Sequence, residues 1–102
     1  MPGYQQMVQA MQKMQREFEK AQAKLDETEF DYTANGAVKV VLKGNMELVS
    51  IEFLDKDILS KDDEDMLKDM ITLAYNGAKD KIDKANEELS AKFKSMAAPG
   101  MF

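Results

Sequence analysis

The stretch YQQMVQAMQKMQREFEKAQAKL, residues 4–25, decides the fold of this chain. Its apolar side chains recur in alternating steps of three and four residues, at Tyr4, Met7, Met11, Met14, Phe18, Ala21 and Leu25. This spacing places one apolar seam along an α-helix, and such a seam needs another helix to cover it. We therefore predict a helix over about residues 4–27 that pairs with a second helix of the chain, with a second copy, or with both.

The pattern after this helix changes from a helical period to alternation. Segments 29–33, 38–43 and 47–53 alternate apolar and polar residues, and Asn35-Gly36 and Gly44-Asn45 lie between them as turn signals. We predict three short antiparallel strands with one apolar face.

A second helix is predicted over about residues 61–96. Ser60 and Asp63 have the spacing of a capping box, and the acidic run that begins at Asp62 suits the positive end of a helix dipole. The predicted apolar stripe comprises Ile71, Ala74, Ala78, Ile82, Ala85, Leu89, Phe93 and Met96. At about 54 Å this helix is far longer than a strand of about 20 Å, so its end projects beyond the sheet. A homodimer would cover it.

Composition excludes several classes of function. The 102 residues include no cysteine and no histidine, which removes disulfide scaffolds, thiolate zinc sites and the commonest general base. No glycine-rich phosphate loop is recognisable, and no serine has a recognisable base arrangement, so we expect no enzyme, no cofactor, no metal and no small-molecule substrate. The first residues lack a basic segment followed by an apolar run, so we expect no signal peptide, and no apolar run reaches membrane-spanning length. We expect one domain, no membrane partner and a cytoplasmic location.

Four segments carry a family likeness: MQKMQR at 11–16, NGAVKV at 35–40, DMLKDMI at 65–71 leading into AYNGA at 74–78, and PGMF at 99–102. In their order and spacing, over nearly the whole chain, they resemble the YbaB/EbfC family of bacterial nucleoid-associated proteins. The turn before the second strand has one glycine where relatives tend to have more.

The resemblance implies an α+β fold of helix, three-stranded antiparallel sheet and long helix, forming a single DNA-binding domain over residues 1–102. Two such protomers would form a tweezer-shaped homodimer. The implied function is binding of double-stranded DNA with low sequence preference and alteration of its conformation. Such a protein contributes to nucleoid organisation and gene regulation, has no catalytic role, and is located at the nucleoid.

The first helix carries the main candidate DNA-binding residues. Their directions on the helix lie within roughly 80° of one another, about 150° from the seam, at Lys13, Arg16, Lys20 and Lys24. Such a stripe can follow a phosphate backbone, although the same spacing also suits an ordinary solvated face. Near the end of the second helix, Lys92 and Lys94 are further candidates. The candidate seam, for a dimer or for helix pairing, combines residues of both helices: Met7, Met11, Met14, Phe18, Leu25, Ile82, Leu89 and Phe93.

The net charge of −5 favours a different class of function. Two long helices flanking a small sheet also describe a cytosolic chaperone or protein-binding adaptor, of the prefoldin or secretion-chaperone type. Three compact strands and a short first helix fit prefoldin subunits poorly. Assembly size separates the two hypotheses, because a dimer favours the DNA-binding protein and a hexamer favours a prefoldin-like assembly.

Overall fold

The computed structural model describes the backbone of residues 3–101 and the side chains of residues 3–95. In chain order the elements are α1 (Tyr4–Glu27), β1 (Glu29–Ala34), β2 (Val38–Lys43), β3 (Leu48–Phe53), two 3-10 turns (Lys56–Leu59 and Lys61–Asp63) and α2 (Glu64–Met101). This order confirms the predicted α+β class of helix, three antiparallel strands and long helix.

The sheet is antiparallel, with β2 between β1 and β3. Asn35 and Gly36 both have positive φ, at 50° and 68°, which is the backbone that a tight two-residue hairpin requires. The Ala37 N–H donates to the Ala34 carbonyl at 2.9 Å and closes this turn. Between β2 and β3 the pairing shifts, because Val41 lies opposite Ser50 whereas Leu42 lies opposite Leu48. This bulge changes the alternation of β3 that the sequence predicted.

The core lies between one face of the sheet and the first half of α2. Val38 and Leu42 on β2 and Ile82 on α2 are completely buried. Ala74 and Ala78 are also completely buried, and their small side chains let the helix approach the sheet closely. Helix α2 packs on β1 and β2, so the sheet covers the part of its apolar stripe that lies before the helix projects beyond the sheet.

The end of α1 is attached to the turn between β2 and β3. The Gly44 N–H donates to the Thr28 carbonyl at 2.9 Å, and the Asn45 N–H donates to the Asp26 carbonyl at 3.2 Å. A side chain at position 44 would collide with the Leu25 carbonyl. The sequence assigned Gly44 to turn geometry, but the positive φ of this turn, 74°, belongs to Met46. Gly44 is required for close approach instead.

The two helices run antiparallel beyond the sheet. Phe18 meets Phe93 edge to face with ring centroids 5.1 Å apart. Gln22 donates to the Asn86 side chain at 3.1 Å, so partners farther along α1 lie earlier along α2. The chain measures 74 × 22 × 15 Å, with a radius of gyration of 20.2 Å. A compact chain of this length would have a radius of about 13 Å, so the helix pair projects from the sheet.

Both ends of α2 differ from the prediction. The helix begins at Glu64 because residues 61–63 form a 3-10 turn, in which the Asp63 N–H already donates to the Ser60 carbonyl at 3.1 Å. The Ser60 hydroxyl therefore donates to the Asp63 carboxylate at 2.9 Å, and the predicted capping box does not form. At the other end the helix continues through Pro99 and Gly100 to Met101, beyond the predicted end near residue 96. The side chain of Met96 lies outside the described residues.

Candidate nucleic-acid interface

The outer face of α1 carries a cationic stripe. Its members are all exposed, because the opposite face of α1 is turned towards α2: Lys13, Arg16, Lys20 and Lys24. Among the described side chains, none of these four forms an ion pair within 4.0 Å. Their charges are therefore available to a phosphate backbone, with no internal carboxylate to displace.

A groove between the helices extends this cationic surface. Its floor is apolar, its volume is about 340 Å³, and it is lined by Ala21, Lys24, Leu25, Thr28, Ala85, Glu88, Leu89 and Lys92. The structure therefore brings Lys24 of α1 and Lys92 of α2 to the same groove. Glu88 lines it as well, which lowers the positive potential at that point.

Lys94 faces a different surface. It is two residues beyond Lys92, which turns its direction by about 200° on the helix. That direction coincides with an acidic face of α2 whose exposed members lie within about 60° of one another: Asp65, Asp69, Asp80, Asp83 and Glu87. Helical geometry thus separates Lys94 from the other candidate cations.

The candidate seam residues meet three different environments. Met14, Phe18 and Leu25 on α1 are half-buried, as are Leu89 and Phe93 on α2. Met7 and Met11 are exposed, at 56% and 53%. Ile82 is completely buried and belongs to the core between α2 and the sheet.

Lys43 is a cation whose role the sequence did not indicate. Its ammonium lies 3.3 Å from the Glu27 carboxylate and 3.8 Å from the Glu47 carboxylate, where α1 joins the sheet. The hydrogen bond and charge of Glu27 raise the pKa of Lys43 above its ordinary value of 10.5. Glu27 is 16 positions away in sequence, so no local spacing rule could have found this pair.

The apolar face of β3 is only partly covered, which the strand pattern did not reveal. Leu48 is 52% exposed and Ile51 is 38% exposed, and the neighbouring Val49 and Leu54 are also exposed. The reason is that α2 packs on β1 and β2. Tyr75 is 39% exposed as well. It is two residues from Gly77, which contacts the Tyr32 ring of β1, so Tyr75 points towards the β3 side of the helix.

Two other kinds of site are absent from the described part of the chain. No group of three or more acidic side chains there is placed to hold a metal ion. None of the helices in that part of the chain combines the length and apolar character needed to cross a membrane.

These elements define a class of small α+β proteins in which two long antiparallel helices project from a three-stranded sheet. A solved structure, that of an uncharacterised protein from Helicobacter pylori, has the same fold, with a TM-score of 0.70 over 87% of this chain and 94% of that chain. The two sequences are 21% identical.

The sequence profile of the YbaB/EbfC DNA-binding family matches residues 1–97, and the chain belongs to this family. A nucleoid-associated protein of Alkaliphilus metalliredigens is 35% identical, over 99% of this chain and 90% of its own length. One from Ligilactobacillus salivarius is 36% identical, over 95% of this chain and 92% of its own length. A third, from Clostridium novyi, is 38% identical, over 89% of this chain and 81% of its own length. The family likeness carried by the sequence segments is confirmed.

Proposed function

We propose that this protein is a nucleoid-associated protein that binds double-stranded DNA through the outer face of α1. The observation that carries the proposal is the exposed cationic stripe, Lys13 to Lys24, in which none of the four cations has an ion-pair partner among the described side chains. Membership of a DNA-binding family and the names of the relatives support it. The site of action that follows is the nucleoid, in the cytoplasm.

The chemistry of the stripe favours contacts with phosphates over contacts with bases. It rises about 16 Å along a straight helix, and three of its four cations are lysines, which act as point charges on flexible stems. Phosphate contacts fix position without reading sequence, so the sequence preference is low. A dimer presents two such stripes, and a duplex held by both follows a path set by the protein, which alters DNA conformation.

The acidic face of α2 sets the direction from which DNA approaches. A phosphate near Asp80, Asp83 or Glu87 would meet like charge, whereas one near α1 would meet cations. This division accounts for an acidic protein that binds DNA. It also weakens the argument from net charge for a chaperone or adaptor, because the acidic face of α2 and the cationic stripe of α1 lie on different helices.

We further propose that a second copy of the chain covers the exposed face of β3, which gives a homodimer. Leu48 and Ile51 present apolar surface there, and β3 is an edge strand with unpaired backbone groups. At the opposite edge the Lys81 ammonium donates to the Asp31 carbonyl of β1 at 2.6 Å, which occupies one of the backbone acceptors there. An isologous pairing through β3 is the arrangement that this asymmetry favours.

The test of DNA binding is an anisotropy titration with a random-sequence duplex at several salt concentrations. In the α1 variant, Lys13, Arg16, Lys20 and Lys24 are all changed to Gln. For the wild type we expect affinity to fall steeply with salt. Each phosphate that α1 no longer neutralises lowers the slope of log K against log salt by about 0.9, so the slope of the α1 variant should be smaller by up to about 3–4 units for each chain whose stripe contacts the duplex.

The matched control removes the same net charge elsewhere, by changing Lys56, Lys61, Lys68 and Lys79 to Gln. All four side chains are exposed and lie outside the proposed site. The control variant should keep most of the affinity and slope. Equal reductions in both variants would show that only net charge matters, and a wild type that does not bind at low salt would overturn the proposed function.

The test of the homodimer is the mass of the protein in solution. Ile51→Lys and Leu48→Lys place charges on the exposed face of β3 without altering the buried core, so the variant should fold and be monomeric at concentrations at which the wild type is dimeric. Sedimentation velocity gives the mass, and circular dichroism checks the fold. A wild type that is monomeric throughout, or a variant that dimerises at the same concentrations as the wild type, contradicts pairing through β3.

A further inference from the structure

The first two turns of α1 carry an apolar surface, the tip, formed by Tyr4, Met7 and Met11. These side chains are 81%, 56% and 53% exposed. They continue the heptad phase of Met14 and Phe18, which are half-buried. One seam is therefore covered where α1 nears the sheet and open where it projects away from it. A continuous coiled-coil seam with an open end is a surface for a further helix.

The tip differs from the rest of the chain in charge. All 14 basic and 19 acidic residues lie at positions 13–94, so residues 3–12 include none of them. Phosphate groups, acidic peptides and basic peptides find no charge there to complement their own. The partner that matches the tip is a helix that is also apolar and uncharged.

The residues beside the seam narrow the choice of partner. In the heptad of the tip, the two flanking positions that usually carry charges are occupied by Val8 and Ala10. In the later heptads these positions include Glu17 and Lys24. Identical charges would repel each other across a self-pairing, and the tip has none. Its apolar strip is also widened by both flanking side chains, and methionine adapts readily to an identical surface.

We propose that the tips of two copies of this chain pack against each other as antiparallel helices. With Met7 near the two-fold axis, Tyr4 of one copy lies opposite Met11 of the other, and the pairing is isologous. This contact is separate from β3 and from the cationic stripe. It joins β3-paired dimers into larger assemblies, and it requires no DNA.

Sedimentation velocity over a series of protein concentrations tests this pairing without DNA. The tip variant carries Met7→Gln and Met11→Gln, which preserve helix propensity and remove the apolar seam. A control variant carries Gln5→Ala and Gln9→Ala on the opposite side of the same turns. We expect wild type and control to form species larger than two chains as concentration rises. The tip variant should form such species only at a protein concentration at least about tenfold higher.

The outcome is interpretable even if β3 does not form a dimer. In that case the tip alone would pair wild-type chains, and the tip variant would be monomeric. Wild-type chains that never exceed a dimer, together with a tip variant that is also dimeric, overturn the proposal. The same mass distribution in wild type and tip variant overturns it as well.

Cross-linking gives an independent measurement, because the natural chain has no cysteine. Met7→Cys introduces a thiol within the tip, and Gln9→Cys introduces one about 160° away on the same helix. With a short bismaleimide, chains carrying Met7→Cys should become linked in high yield and chains carrying Gln9→Cys in low yield. Equal yields at the two positions, or no linkage at either, would be incompatible with packed tips.

Discussion

Helix α1 buries none of its residues, whereas α2 buries Ala74, Ala78 and Ile82 completely. Both helices have apolar side chains at helical spacing, so the difference comes from what each helix contacts. The first half of α2 lies on a sheet, which surrounds its stripe on several sides. Helix α1 packs mainly on another helix, over part of its length, and contacts the sheet only at its end. A seam between two helices leaves each side chain half-open to solvent, whereas a sheet can enclose it.

Their outer faces differ as well. Helix α1 presents Lys13, Arg16, Lys20 and Lys24, and α2 presents a row of carboxylates. The helix that contributes most to the core therefore presents negative charge on its outer face, and the helix with no buried residue carries the cationic stripe. Because α1 makes few internal contacts, its surface residues can be changed at little cost to the fold.

The largest predicted effect is a difference in how much a core substitution in α2 and a seam substitution in α1 destabilise the protein. Ile82→Ala should lower the free energy of unfolding by about 2–5 kcal/mol, because it opens a cavity in the core. Phe18→Ala removes more atoms but should cost less, since Phe18 is only half-buried. Urea unfolding of both variants at one chain concentration makes the comparison. A larger destabilisation by Phe18→Ala would mean that helix pairing, and not the sheet, dominates stability.

A smaller effect is expected where α1 joins the sheet. Gly44→Ala should cost about 1–3 kcal/mol, because its methyl group meets the backbone carbonyl of Leu25, which cannot move aside like a flexible side chain. Hydrogen exchange should show lower protection at the end of α1. Gly3→Ala has open space around it, so its methyl group meets no atom, and its cost of about 0.5–1 kcal/mol comes only from alanine being a poorer N-cap than glycine. Equal unfolding curves for the two variants would refute the close approach.

The polar contact between the helices should contribute less. Gln22 and Asn86 share a half-buried hydrogen bond of 3.1 Å. A double-mutant cycle with Gln22→Ala and Asn86→Ala should give a coupling of about 0.5–1.5 kcal/mol, which isolates this pair from the other bonds that each residue makes. A coupling near zero would leave Phe18 and Phe93 as the main contact between α1 and α2 beyond the sheet.

The smallest effect concerns the charge of Lys43. Glu27→Gln should return the pKa of Lys43 towards 10.5, and Glu47→Gln should lower it less, because Glu27 is the larger cause of the shift. Because the pKa of Lys43 is higher in the folded state, the charged lysine stabilises that state, fully so when the pH is below the pKa of the unfolded state. This contribution disappears as the pH rises through the pKa of the folded state, above 10.5. NMR titration of the Lys43 side chain measures both variants. An unchanged pKa in Glu27→Gln would mean that the ion pair does not persist in solution.

Much of the architecture followed from local patterns. The heptads predicted α1, alternation predicted the strands, and Asn35-Gly36 predicted a tight hairpin, because backbone geometry dictates each of these patterns directly. The start of α2 was misplaced because a 3-10 turn and a capping box use similar residues at the same spacing. Gly44 was assigned to turn geometry because the sequence shows which residue is small, but not which atom approaches it.

The sequence alone determined that this chain has two helices with apolar seams, a cationic outer face on the first and an acidic one on the second. Those properties depend on the angle per residue of a helix, which is fixed. Only the tertiary structure decided that Lys24 and Lys92 share a groove, that Ile82 belongs to the sheet, and that the face of β3 and the tip of α1 are exposed. Such facts depend on which elements meet and on how far each extends over the other. Helical periodicity specifies neither of these.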